Sequence, residues 1–236
     1  LPEMAVSHNP EPRFSWKREV ALGLGFYAAY LLVRRAALAG DGRERADRNA
    51  RRIVELERRL GIDLEPRLQQ LVVDRRNLVQ ALNLAYGTLN VGLTVGWLIL
   101  LFRRRDPAFH RFRRATLVAG LGAQPVFLLF PVAPPRTLDH LVDTIAEFGG
   151  VTLASGLIAK LYHPLAAMPS IHVTIAEVTA RGLRETSRSA TVRGLAPAYP
   201  PLVAAVVLLT ANHYVVDAAA GSILGRLALR AVRRLG

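Results

Sequence analysis

His213 and Asp217 stand at i and i+4, the spacing that stacks two side chains on one helical face. A carboxylate placed there can hold one ring nitrogen, fix the tautomer and leave the other nitrogen free to attack an electrophile. It also offsets the positive charge that grows on an imidazole taking up a phosphoryl group. A structural His–Asp pair capping a helix has the same spacing, so the pair alone weighs evenly between the two uses.

Met168-Pro169-Ser170-Ile171-His172 reads as a helix start. Ser170 is a good N-cap, and the free amides and positive dipole end behind it suit an anion such as phosphate. His172 then stands in the first turn, where it can protonate the oxygen of a departing alcohol. The plain alternative is a Ser-capped helix with an incidental histidine. Pro131-Val132-Ala133-Pro134-Pro135-Arg136 restricts the backbone around one guanidinium, the side chain best matched to a bidentate phosphate contact.

The elements that must position these residues follow from composition. The chain has 236 residues, is 51% hydrophobic and carries a formal charge of +13, a combination unusual in a soluble domain. Its arginines fall in clusters separated by apolar runs about as long as a bilayer is thick. That pattern speaks for a lipid bilayer and against nucleic acid as the partner. With no cysteine, disulfides and thiol chemistry are excluded.

The apolar runs predict an all-α, polytopic membrane protein with six transmembrane helices, since a helix satisfies its own backbone inside lipid. The expected spans are Val20–Ala39, Leu78–Phe102, Ala115–Val132, Pro169–Leu183, Leu195–Ala211 and Tyr214–Val232. Residues 1–18 read as an N-terminal tail without a secretory-signal core, and 19–236 as one membrane-embedded domain. Within it, residues 41–76 form an extracytoplasmic amphipathic segment in which Ile53, Leu56 and Leu60 recur at helical spacing, suggesting an extra helix lying on the membrane surface. Phe148 to Tyr162 is apolar but short and is assigned to an interfacial or re-entrant piece.

Short basic loops set orientation. Arg103 to Arg114 has six arginines against Asp106, Arg181 to Arg193 has four against Glu185, and the tail from Arg226 has four with no acid. These belong to the cytoplasm, as do both termini of what reads as a multi-pass protein of a prokaryotic cell membrane. Arg136, Ser170, His172 and His213 then share the outer face, and independent accidents need not place them together.

The motifs Ala133-Pro134-Pro135-Arg136, Pro169-Ser170-Ile171-His172 and His213-Tyr-Val-Val-Asp217 resemble, in order and spacing from about Leu78 to Leu235, the type 2 phosphatidic acid phosphatase superfamily. The nearest likeness is to its inositolphosphotransferase-like branch, which includes fungal inositol phosphorylceramide synthase. The resemblance implies a phosphatase or phosphotransferase of lipid metabolism that needs no metal or other cofactor and works through a phosphohistidine. It makes His213 the nucleophile, Asp217 its partner and His172 the acid, with Arg136, Ser170 and the Ile171 amide cradling phosphate. The donor would be a phosphorylated lipid or headgroup, and the acceptor an alcohol or water.

Three departures stand out. Where the broader superfamily has a Lys before its first-motif Arg and an Arg before its nucleophile, this chain has Leu129 and Val207. Where the second motif has Gly, it has Ile171. Lys160 or His163 could supply the missing charge, and Asn90 and Asn212 are further candidates to line the substrate. A catalytically inactive phospholipid-binding or transport protein of the same fold is the alternative. No two histidines stand three or four residues apart, so no metal site is expected. Glu177, inside a span, has Arg181 available one turn on. Asn83 and Gln124 are readable as cavity lining or as interhelical glue.

Overall fold

The computed structural model describes residues 14–149 and 164–234. Among these the chain is helical, with one isolated bridge between Val132 and Ala166 in place of any strand. Eleven α-helices follow in order: α1 Trp16–Ala37, α2 Gly42–Leu60, α3 Glu65–Gln70, α4 Arg76–Leu84, α5 Asn90–Arg103, α6 Ala108–Leu129, α7 Thr144–Phe148, α8 Ile171–Thr186, α9 Ala190–Leu195, α10 Tyr199–Leu209 and α11 Val215–Arg234. A π-helical turn, Ala85–Leu89, joins α4 to α5.

The centre of the molecule is α8, which packs against α11, α10, α6 and α5, while α1 lies on the outer side of α6. Small residues allow the tightest of these contacts. A Cβ on Gly221 would lie 2.4 Å from the backbone oxygen of Ser170, and one on Gly225 would lie 2.6 Å from that of Thr174. The pair Gly221-x-x-x-Gly225 therefore lets the backbones of α8 and α11 approach closely, as small residues do at helix contacts in lipid. Thr174 Oγ1 donates to Gly221 O at 3.0 Å across the same contact.

Among the described residues, two helices are long and apolar enough to cross a membrane, Trp16–Ala37 with 22 residues and Ala190–Leu209 with 20. A third would be the pair Arg76–Thr88 and Asn90–Arg103 if it forms one span, bent by 41°. Helix α1 begins inside the expected tail, and most of its apolar surface, including Val20, Leu24 and Leu32, is exposed. Water would penalise that surface, and lipid would not. Most of the segment Phe148 to Tyr162 lies outside the described residues.

The amphipathic segment departs from its sequence reading. Its buried stripe is Ala46, Ala50, Ile53, Val54 and Glu57, whereas Leu56 and Leu60 are exposed. The spacing of Ile53, Leu56 and Leu60 is helical, but two alanines one turn apart define a face that approaches other backbone more closely. That face meets the end of α6: Asn49 Nδ2 donates to Pro131 O at 2.9 Å, and Ala133 N to Ala46 O at 3.3 Å. Helix α2 is thus packed on the loop that follows α6.

Candidate active site

Three loop ends are tied together at one end of the bundle. Val132 N donates to Leu165 O at 3.0 Å and Ala167 N to Val132 O at 3.2 Å, which joins the end of α6 to the approach to α8. Arg136 N donates to Ala211 O at 2.8 Å, and Ser170 N to Asp217 O at 3.0 Å. Arg136, Ile171, His172, Asn212 and His213 consequently line one cavity of about 200 Å³. Its remaining wall is largely aromatic and aliphatic, with Phe26, Tyr30, Tyr86, Val91 and Phe127.

The two histidine rings lie 5.6 Å apart, centroid to centroid. His213 Nδ1 is 2.7 Å from Ala167 O. A carbonyl only accepts, so Nδ1 carries the proton and Nε2 presents its lone pair. Nε2 is buried and makes no hydrogen bond within the described protein. Burial lowers the His213 pKa to about 4, against the smaller opposing pull of the Ala167 carbonyl, which keeps the ring neutral and nucleophilic near pH 7.

Asp217 is not placed as the spacing alone suggests. Its Oδ2 is 3.6 Å from His213 Nδ1 and accepts the Tyr214 N–H at 3.0 Å. The cause is the chain path: His213 precedes α11, so its ring turns toward the Ala167 carbonyl while Asp217 caps the first turn of its own helix.

His172 opens α8 as expected, with Ser170 as the N-cap: Ser170 Oγ accepts the Val173 N–H at 3.4 Å. Ser170 is fully buried and does not line the cavity, so its hydroxyl is used for the helix and Ile171 takes the lining position. The His172 ring lies against Tyr86, centroids 4.3 Å apart, and its Nδ1 is buried without a hydrogen-bond partner among the described residues. Asn90 does not line the cavity that holds His213. It donates to His172 O at 2.9 Å, accepts from Tyr199 OH at 2.8 Å, and lines a neighbouring apolar cavity of about 180 Å³. The π-helical turn aims both Tyr86 and Asn90 at the head of α8, a placement such turns often have beside functional groups.

Arg136 is held on two sides. Its Nε donates to Asn212 Oδ1 at 2.9 Å and its Nη1 to Asp143 Oδ2 at 2.7 Å. Asp143 meanwhile caps α7 through Oδ1. Those two bonds fix the plane of the guanidinium and leave its other N–H groups for the cavity. Asn212, in turn, donates to Thr210 Oγ1 at 2.8 Å. Lys160 and His163 lie outside the described residues.

Sequence reasoning missed Glu57 and Glu65. Both are buried, and each accepts a backbone N–H of the first turn of α11 at 2.8 Å: Glu65 that of Val215, Glu57 that of Val216. Together with Asp217 they satisfy the amides directly after His213. Burial raises the Glu57 pKa to about 8 and also raises that of Glu65. The missed signal was Glu57 falling on the alanine stripe of α2. Carboxylate oxygens of Glu57, Asp63 and Glu65 lie within 4.8 Å of one another, a donor set of the kind hard cations accept. In this structure, one oxygen of each already serves Val216 N, Arg58 or Val215 N.

Glu177 also differs from its reading. It accepts from Ser222 and Arg226 on α11, at 2.5 and 3.2 Å, while Arg181 pairs with Glu185. Asn83 donates to Thr144 O and Gly149 O, each at 2.8 Å, and so acts as glue between α4 and α7. Gln124 donates along its own helix to Gly120 O at 3.1 Å and lines the same cavity as His172 and His213.

A family model described as the PAP2 superfamily matches residues 51–231, from the middle of α2 to near the end of α11. No curated protein and no solved structure matches the chain.

Proposed function

The chain belongs to the PAP2 superfamily, and from that premise we propose that it is an integral-membrane phosphotransferase or phosphatase that passes a lipid-borne phosphoryl group through His213. What supports the reading is one observation: His213 and His172, their rings 5.6 Å apart, line one cavity together with the tethered Arg136.

In the proposed reaction His213 Nε2 attacks phosphorus as the bond from phosphorus to the departing alcohol oxygen breaks. His172 gives that oxygen its proton. Arg136 holds the non-bridging oxygens, and Asp217 balances the charge of the phosphoimidazole. In the second half an acceptor oxygen, from water or an alcohol, attacks phosphorus, His172 takes its proton, and the bond to His213 breaks. No step calls for a metal. The aromatic and aliphatic wall suits the lipid portion of the donor. The inositolphosphotransferase-like branch is favoured over classical lipid phosphatases because Leu129 and Val207 replace cations, leaving Arg136 as the Lys or Arg of the cavity wall among the described residues.

The site's arrangement is proposed to sit at the outer face of six spans, formed by α1, α4 with α5, α6, α8, α9 with α10, and α11, with both termini cytoplasmic. Arginine-rich connections at the opposite end of the bundle support this orientation.

His213→Ala and His172→Ala are expected to abolish turnover of a phosphorylated lipid by the detergent-solubilised chain, with chelator present throughout. Survival of turnover in His213→Ala would overturn the mechanism. A second reading, a binding protein without turnover, draws on Arg136 being the one Lys or Arg that lines the cavity among the described residues. A labelled donor that leaves a covalent phosphohistidine on wild type but not on His213→Ala excludes it.

A further inference from the structure

We propose that the end of the α8–α11 pair remote from His172 and His213 carries a second site, which binds a phosphate group. This inference does not depend on the catalytic reading. A cavity of about 400 Å³ lies between the last turns of α8, α11 and the segment entering α10. On α8 it is lined by Glu177, Arg181 and Arg184, and on α11 by Arg226, Arg230 and Arg233. Both triplets run i, i+4, i+7, so each forms one helical face, and the two faces oppose each other across the cavity. Prolines 197 and 200 form a third wall whose backbone is restricted.

The local charge does not balance. Glu177 receives Arg226 at 3.2 Å, while Glu185 receives Arg233 at 3.2 Å, Arg181, and also Arg111 from outside the cavity. Arg184 and Arg230 make no ion pair or hydrogen bond within the described residues. Five guanidinium groups around one concavity repel one another, and two shared carboxylates only partly relieve this. An anion with several oxygens relieves it best, and the guanidinium fork fits phosphate in particular. Along α8, Arg184 is about 20 Å from Ile171 at the helical rise, so this ligand is not the one held beside His213. Its source is either the headgroup of an anionic lipid in the adjacent leaflet or a soluble phosphate.

Two measurements on the full chain test this. Native mass spectrometry after release from nanodiscs of phosphatidylglycerol and phosphatidylcholine reads retained lipid. Calorimetric titration in neutral detergent with inorganic pyrophosphate reads the soluble source. Wild type is expected to bind at least one probe, with phosphatidylglycerol retained over phosphatidylcholine if the source is lipid. R184Q/R230Q should weaken that binding by about tenfold or more. R103Q/R104Q removes the same charge from a neighbouring exposed turn outside the cavity and should leave binding unchanged. Pyrophosphate binding with this dependence assigns a soluble ligand, and lipid retention without it assigns a headgroup. The proposal is overturned if wild type holds neither probe, if R184Q/R230Q binds as wild type, or if both double variants lose binding equally.

Discussion

The same two helices, α8 and α11, end in opposite ways. At the His172 end, the amides that open α11 and one ring nitrogen of His213 are buried and matched one to one: Val215 to Glu65, Val216 to Glu57, Tyr214 to Asp217, and His213 to Ala167. At the far end, exposed arginines crowd around shared carboxylates, and Glu185 alone serves Arg111, Arg181 and Arg233. Where water is excluded each partner is irreplaceable, because its loss leaves a buried group unsatisfied. Where water is present, partners are interchangeable and screened. The first arrangement holds side chains in fixed positions, and the second holds charge without fixing geometry.

The sharpest way to break the contrast is at the helix contact itself. In Gly221→Ala the new methyl would lie 2.4 Å from Ser170 O, and backbone cannot yield as a flexible side chain can. Overpacking of this kind costs about 1–3 kcal/mol. The displaced group is the cap of the helix that opens with His172, so turnover should fall about 100-fold, as for misplacements near 1 Å. Thermal unfolding and steady-state rates in detergent check both. Wild-type turnover in this variant would mean that the close approach does not position the site.

Next in size is Glu57. Glu57→Leu removes the acceptor of the Val216 N–H and should cost about 1–3 kcal/mol, whereas Glu57→Gln keeps an acceptor and should cost less. The two also separate in pH. With the Glu57 pKa raised from 4.5 to about 8 by burial, the folded chain keeps a proton that the unfolded chain has lost. Stability is then full below about 4.5 and declines as pH rises through about 8. The wild-type melting temperature should fall over that window more steeply than that of Glu57→Gln. Equal slopes would remove Glu57 as the source.

How much of this was readable in advance follows the same contrast. Helices and motif residues announced themselves, because apolar length, a Ser-Ile-His start and the His213/Asp217 spacing are local features. The partners of those residues were not local. Ala167 reaches His213 through a backbone carbonyl that has no side-chain signature, and it does so across the 46 residues that separate them. Glu57 and Glu65 act on α11 from more than a hundred residues away, in a highly charged segment that reads as a helix on the membrane surface. Leu56 and Leu60 misled because leucine spacing outweighed the alanine stripe, although the smaller residues marked the closer contact. Gly221-x-x-x-Gly225 carried no reading in the sequence, and only the fold shows that Gly221 abuts Ser170. At the arginine end, clustering was plain in the sequence. The pairing was not, because Glu177 finds Arg226 across helices where Arg181 on its own helix had seemed available.

The smallest expected effect tests the redundant end directly. Arg111 pairs with Glu185 and lies 4.5 Å above the Phe112 ring centroid, yet its side chain is 42% exposed and Glu185 keeps two other arginines without it. Arg111→Ala should therefore shift stability by no more than about 1 kcal/mol and leave turnover at the wild-type rate. Raising salt should shrink even that difference, since exposed pairs are screened over about 8–10 Å, whereas the deficits of Glu57→Leu and Gly221→Ala should persist. If Arg111→Ala instead matched Glu57→Leu in cost, the far end would be a one-to-one network too, and the division of labour along α8 and α11 would fail.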